Sequence, residues 1–258
     1  MNAASQEDIH RLWDELSDFE AHQAEQAAIH LMESLCHLAG AWNATWGGAT
    51  RLSGECGSDP LRGWRVPAMK LLHPIMPHPD EGPFKEILRL WDQREIDPSF
   101  LLPMRGVGTF RTYSFRRELP PEWFESPFYQ GHYAAVGTHD SVFVGFPLNP
   151  DAESHFGFYS RRTFTDAEIA LLAYAMRGIK WFHRKLMLGH GLLMASSPLT
   201  PTERRVLQLL LTELSEKQIG GQMGLAASTV HQHVLNIFRK FGVRSRAGLM
   251  SLWLNRAG

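Results

Sequence analysis

The sequence predicts an α+β front domain, an antiparallel sheet flanked by helices, followed by a small all-α domain at the carboxyl end. Three observations predict it. Apolar residues recur at helical spacing before residue 40 and again after residue 165. Between these stretches, short runs near 42–52, 108–115, 141–146 and 155–160 alternate as strands do. From Leu199 onward helical periodicity is punctuated by capping boxes and glycines. The expected division is a front domain over 1–190, a linker over 191–198 and a terminal domain over 199–258.

In the first stretch, Ile9, Leu12, Trp13, Leu16 and Phe19 form one apolar stripe, and Ala27, Ala28, Leu31, Leu35 and Leu38 form another. The phase slips at Ser17-Asp18, which predicts two helices. His30 and His37 share a face next to Cys36, but a metal site needs more ligands at suitable spacing. Ordinary helix packing is expected, with no metal and no cofactor.

Trp42 to Leu52 reads as the first strand. Ser53 to about Gly82 is rich in Gly, Pro and His, so a long surface loop is expected, with His73 and His78 as loop residues. Phe84, Ile87, Leu88 and Trp91 then define a helix closed off by Asp97-Pro98. Strands follow at Gly108–Phe115 and Ser141–Phe146, joined by a segment containing Trp123, Phe128, Tyr129 and Tyr133. His155–Ser160 is a further strand, with Phe156, Phe158 and Ser160 on one face. Thr165-Asp166-Ala167-Glu168 is a capping box, and Ile169, Leu172, Met176, Ile179, Phe182 and Leu186 predict one long helix from Asp166 to Gly189.

In the terminal domain, Thr200 caps a helix, Pro201 suits its first position and Glu203 closes the box; Val206, Leu207, Leu210 and Leu211 give its apolar face. Ser215-Glu216-Lys217-Gln218 opens a second, short helix, which Gly224 ends in a left-handed turn. A third helix is predicted over Ala227–Phe241. Val230, Val234, Ile237, Phe238 and Phe241 form its inner stripe, while Ser228, His231, Gln232, Leu235 and Arg239 face outward and Thr229, His233, Asn236 and Lys240 flank them. Polar side chains outward with cations near the end are the make-up of a recognition helix in a major groove, although a solvated surface helix has the same periodicity.

A resemblance decides between these. Leu199-Thr200-Pro201-x-Glu203, Leu214-Ser215-x-Lys217-x-Ile219, Met223-Gly224-Leu225, Ser228-Thr229-Val230-x-x-His233-Val234-x-Asn236-Ile237 and Lys240-Phe241-Gly242-Val243-Arg244-Ser245-Arg246 resemble the LuxR/GerE-type helix-turn-helix of bacterial transcription regulators. The resemblance implies a four-helix DNA-binding domain, its fourth helix running from Arg246 to about Asn255. It also implies a double-stranded DNA partner and a homodimer on a short inverted repeat. Lys217, Arg239, Lys240, Arg244 and Arg246 are then the phosphate candidates; Ser228, Thr229, His231, Gln232, Leu235 and Asn236 lie along the groove-facing side. Gln232 suits adenine and Leu235 suits a thymine methyl.

The chain departs from that family in three places. Ala226 stands where the family usually places a capping serine, a loss of roughly 1 kcal/mol. Gly220-Gly221 lies within the second helix at about 0.8–1.0 kcal/mol per glycine, which suggests a close crossing at Gly220. Positions 231, 232 and 235, often cationic or other contact residues in the family, are His, Gln and Leu.

Charge distribution agrees with a nucleic-acid partner. The 258 residues carry a net −1, yet from Pro198 onward eight Lys/Arg face three Asp/Glu, a net +5 that leaves −6 on the remainder. No apolar stretch approaches twenty residues and no basic region precedes an apolar run at the start, so neither a membrane span nor a leader is expected. With only Cys36 and Cys56, a disulfide framework is not expected and a cytoplasmic location is.

The strand followed by Phe164-Thr165-x-x-Glu168 and a helix resembles the GAF-like ligand domains of this regulator class over about residues 100–190. Acyl-homoserine-lactone receptors of quorum sensing carry a related α-β-α domain. Asp59-Pro60 is similar to their Asp-Pro pair, while the Tyr and Trp spacing around it departs from theirs. Aromatics exceed what a plain core requires, and Trp46, Tyr113, Trp123 and Tyr129 are the candidate walls of a pocket for a small-molecule effector. Arg105 and Arg111 are candidates to meet an anionic ligand. The alternative is a protein-interaction module or a constitutive dimerisation domain. No phosphate-cradling glycine loop, nucleophile elbow, His-Glu-x-x-His or paired-cysteine zinc motif occurs, so an enzyme is not expected.

Overall fold

A computed structural model describes residues 3–51, 58–73 and 83–254. These form two compact units: one from the residues up to Trp13 and those of Ile29–Lys180, the other from Asp14–Ala28 and the residues from Trp181 onward.

The first unit is built on a five-stranded antiparallel sheet in the order β2-β1-β5-β4-β3. Its strands are β1 (Asn43–Arg51), β2 (Trp64–Leu71), β3 (Arg111–Ser114), β4 (Asp140–Asn149) and β5 (Ala152–Ser160). Helices α1 (Ala3–Asp18) and α2 (Ala24–Ala39) precede the sheet, with a 3₁₀ turn at Ala21–Gln23 where the apolar phase slips. Between β2 and β3 lie α3 (Pro83–Gln93) and a turn of helix α4 (Pro98–Leu101), capped by the Asp97 carboxylate. Short helices α5 (Phe115–Glu118) and α6 (Pro127–His132) occupy the aromatic-rich connection, and α7 (Asp166–Arg177) follows β5 behind the predicted capping box.

Strand alternation sorts the sheet into two faces. Trp46, Val142, Val144, Phe156 and Phe158 point to one face and are wholly buried, with Ile9 and Leu12 of α1, Leu31 and Leu35 of α2, and Leu172 and Met176 of α7 also in the core. Thr45, Gly47, Phe143, His155 and Gly157 point to the other. Register places Thr45 opposite Gly157, Gly157 opposite Phe143, and Gly145 opposite both His155 and Arg111. Asp140, 1% exposed, knits the region together by accepting hydrogen bonds from the Ser141, Arg116 and Phe164 backbone N–H groups and the Ser114 hydroxyl.

Two expectations are corrected. The stretch expected as a long loop contains β2, which pairs with β1 through Thr45↔Leu71 and Arg51↔Trp64. Pro67 masks the strand signal, and β2 accommodates it because an edge strand leaves one side of its backbone unpaired. Residues 53–57, with Cys56, and His78 fall outside the described residues. The single helix expected over Asp166–Gly189 is two, α7 and α8 (Lys180–Gly189). Gly178 separates them: a Cβ there would overlap the Trp13 ring, whose indole N–H donates 2.9 Å to the Ala175 carbonyl, the group a continuous helix would offer to residue 179.

The second unit holds α8 from Trp181 onward and the helices α9 (Pro201–Leu210), α10 (Glu216–Met223), α11 (Ala227–Phe241) and α12 (Arg246–Leu254). Both predicted capping boxes form, Thr200 with Glu203 and Ser215 with Gln218. Gly224 and Gly242 end α10 and α11 at φ +66 and +65. Val206, Leu207, Leu210, Ile219, Val230, Val234, Ile237, Phe241 and Leu249 are its core. A Cβ on Gly220 would sit 2.7 Å from the Leu225 carbonyl oxygen, so the glycine answers to the turn after α10 rather than to a helix crossing. Ala226 makes no side-chain cap to α11.

Candidate functional site

Helix α11 presents Ser228, Thr229, His231, Gln232, Leu235 and Arg239 to solvent, with Asn236 half-buried beside them. Leu235, 39% exposed, is an apolar side chain on an otherwise polar face. Arg239 donates 3.2 Å to the Asn236 side-chain oxygen, and His231 Nδ1 lies 3.0 Å from Glu216 at the start of α10. Lys217 and Arg244 are exposed.

The remaining two phosphate candidates are engaged inside the domain. Lys240 Nζ donates 2.7 Å to Glu203 and 2.8 Å to the Pro198 carbonyl, pinning the end of α11 to the start of α9. Burial pushes the Glu203 carboxyl up, but the Lys240 ammonium and the Thr200 N–H and hydroxyl outweigh it and hold the group below the usual carboxylate range. Arg246 donates to the Leu210, Leu214 and Thr212 carbonyls, satisfying the C-terminal end of α9 and the turn beyond it. Both cations therefore satisfy internal acceptors.

The second site is a cavity of about 150 Å³ between the open sheet face and the segments that cross it. Thr45, Gly47 and Ala49 of β1 and Gly157 of β5 form a low floor because small side chains occupy the middle strands. Ile87, Leu88 and Trp91 of α3, with Met104 and Val107, roof it; Trp64, Met69, Phe143 and Tyr159 close the sides.

Its charged corner is made by Arg111, Glu153 and His155. Arg111 grips Glu153 with two nitrogens, Nη2 at 2.7 Å and Nη1 at 3.1 Å; the Gly108 N–H donates at 2.7 Å and His155 Nε2 lies at 3.0 Å. Glu153 is 1% exposed. Burial alone would raise its pKa, but hydrogen bonds from His155, Arg111 and the Gly108 backbone bring it down to about 2. The pair is thus ionised and internally neutralised. Desolvation holds the Tyr113, Tyr133 and Tyr159 hydroxyls above the usual tyrosine range, so all three are protonated.

Of the four aromatics expected in a pocket wall, Tyr113 lines this cavity and Trp46, Trp123 and Tyr129 do not. Trp46 points to the opposite sheet face, where its indole donates 3.0 Å to the Ser154 hydroxyl. Trp123 donates to Asp97 at 2.9 Å, and the Tyr129 hydroxyl, 3.2 Å from the Thr138 and His139 carbonyls, closes its own loop. Arg105 is a surface residue 3.7 Å from Glu118. Asp59 turns back on its own loop, accepting from the Leu61 and Gly63 backbone N–H groups, Arg65 and Arg94. Glu153, His155, Gly157 and Tyr159 escape the sequence reading; their spacing at every second position of one strand is the signal that could have found them.

Comparison with known proteins bears on the second unit. Residues 197–253 match the family model "Bacterial regulatory proteins, luxR family". These residues are a LuxR-family helix-turn-helix domain. The transcriptional regulatory protein MctR of Rhizobium johnstonii is 26% identical over 140 residues, which cover 53% of this chain and 60% of that protein, short of two thirds of its length. Among solved structures, the VqsR LBD domain from Pseudomonas aeruginosa is similar at 14% identity and TM-score 0.47, covering 72% of this chain and 98% of its own. SdiA in complex with octanoyl-rac-glycerol is similar at 13% identity and TM-score 0.48, covering 100% of this chain and 97% of its own. No helix among the described residues is long and apolar enough to cross a membrane.

Proposed function

We propose that this protein is a cytoplasmic, ligand-responsive transcription regulator that binds duplex DNA as a homodimer. The observation that carries the reading is the exposed face of α11 within a LuxR-family domain, where Ser228, Thr229, Gln232 and Leu235 face solvent and no side chain among the described residues occupies them. Gln232 reads adenine through its amide, Leu235 meets a thymine methyl, and Lys217, Arg239 and Arg244 hold phosphates. His231 and Asn236 contribute at the margin of the face, the first after leaving Glu216. Lys240 and Arg246 act by fixing helix ends rather than by touching DNA.

The first unit is the sensor. A small molecule in its cavity shifts the protein between arrangements that it binds unequally, and DNA affinity changes by the same coupling energy. The cavity supports a small-molecule effector over a protein partner, because concave apolar space with few polar groups suits a ligand and not a flat macromolecular contact.

Selection from a random duplex library with the purified full-length protein, with and without cell extract, tests the reading. A short inverted repeat with half-sites about 34–36 Å apart is the expected product. Enrichment of no sequence under either condition overturns it.

A further inference from the structure

The polar valences left open in the cavity indicate what kind of molecule it takes. Glu153 accepts four hydrogen bonds from Gly108, Arg111 and His155, two to each oxygen, so its lone pairs are filled. Tyr159 is paired with the Thr45 hydroxyl at 2.9 Å. The Tyr113 and Tyr133 hydroxyls also belong to lining residues, and neither has a hydrogen-bond partner among the described residues. Tyr133 is 4% exposed. A hydroxyl that lines a mostly apolar cavity without a protein partner is free to donate to an acceptor on a bound molecule.

Charge and size narrow the ligand further. Arg111 pairs its two terminal nitrogens with Glu153 and leaves only its buried Nε–H without a partner, so the pair carries no net charge and a carboxylate brought into the corner meets the buried Glu153 anion. The volume, about 150 Å³, is that of an interior cavity filled by one benzene ring, and Trp64, Trp91 and Phe143 supply flat walls.

We propose that the cavity selects a compact, uncharged, single-ring molecule whose carbonyl or hydroxyl oxygen is bound by the Tyr113 and Tyr133 hydroxyls, and that the internally neutralised Arg111–Glu153 pair rejects carboxylates of the same shape. This rests on the sensor reading above and specifies its ligand class. Tyr113 and Tyr133 are the specificity-determining residues.

Calorimetric titration of the full-length protein at neutral pH with benzamide, benzoate and 1-octanoylglycerol tests it. Benzamide binds saturably at about millimolar affinity or tighter, benzoate at least about tenfold more weakly, and Tyr133→Phe weakens benzamide about tenfold. The melting temperature of unliganded Tyr133→Phe stays close to the parent's, since only an unpartnered hydroxyl is lost; a purely structural tyrosine would move it and leave the amide preference intact. Equal or tighter benzoate binding, tighter octanoylglycerol binding, an unaffected Tyr133→Phe or no benzamide binding each overturn the proposal. Its failure is separable from that of the sensor reading. A small molecule of another class released from natively purified protein upholds a sensor while refuting this ligand class; native protein without ligand that also binds none of the three probes refutes both.

Discussion

Arg111 reaches Glu153 across an intervening strand, and Gly145 makes the crossing possible. The two residues lie on β3 and β5, with β4 between them; a Cβ on Gly145 would stand 3.0 Å from the Arg111 guanidinium carbon and 3.1 Å from His155 Cε1. A glycine in a central strand ordinarily weakens it, and here it opens the lane along which the guanidinium lies. The charged corner of the cavity is therefore a property of three neighbouring strands in one register.

Gly145→Val fills that lane. The branched side chain displaces Arg111 or His155, and the variant is expected to lose about 1–3 kcal/mol in urea denaturation, with no change in the DNA sequence selected. Unchanged stability would mean the pair relaxes around the new side chain without cost.

The Glu153 carboxyl also sets an acid limit. Its folded-state pKa of about 2 lies below the usual glutamate value, so its contribution is complete above the unfolded pKa and is lost as pH falls through the folded one. Parent stability should decline between about pH 4.5 and 2, by an amount on the order of 3 kcal/mol from this group. Glu153→Gln leaves Arg111 without its counter-charge and costs about 3–5 kcal/mol at neutral pH. Urea midpoints measured against pH should show a shallower acid slope in the variant; parallel slopes would assign the acid sensitivity elsewhere.

Gly178→Ala tests the break between α7 and α8. Alanine favours continued helix, but its Cβ competes with the Trp13 ring for one place. Expulsion of the indole breaks its hydrogen bond to Ala175, so a lower melting temperature and a red-shifted tryptophan emission are expected. A more stable variant with unmoved emission would show that helix propensity, rather than the indole, governs this junction.

Arg239 and Lys240 are neighbours in sequence with different expected phenotypes. Arg239→Ala should reduce the slope of log affinity against log salt by about 0.9 per lost phosphate contact, with little effect on folding. Lys240→Ala strands the Glu203 carboxylate, which is 5% exposed as a side chain, and should cost about 1.5–3 kcal/mol of stability while leaving the salt slope in place. Fluorescence anisotropy across a salt series, paired with thermal melts, separates them. An exchange of these phenotypes would reverse the assignment.

Features that depend on near neighbours are written in the chain itself. The capping boxes at Thr200 and Ser215, the left-handed Gly224 and the inner stripe of α11 each involve residues within a few positions of one another, so helix ends and buried faces in the second unit are legible from local pattern alone. The strand face carrying Phe156 and Phe158 is legible for the same reason. Long-range packing governs what distant residues do to each other. It turns Lys240 and Arg246 onto carbonyls and a carboxylate far along the chain, spends the polar tips of Trp46, Trp123 and Tyr129 on protein partners, lets Trp13 interrupt a helix 162 residues away, and pairs β2 at an edge that tolerates Pro67. Hydrogen-bond partners and cavity walls come from long-range register, and periodicity reports which side of an element faces inward but not which atoms it meets there.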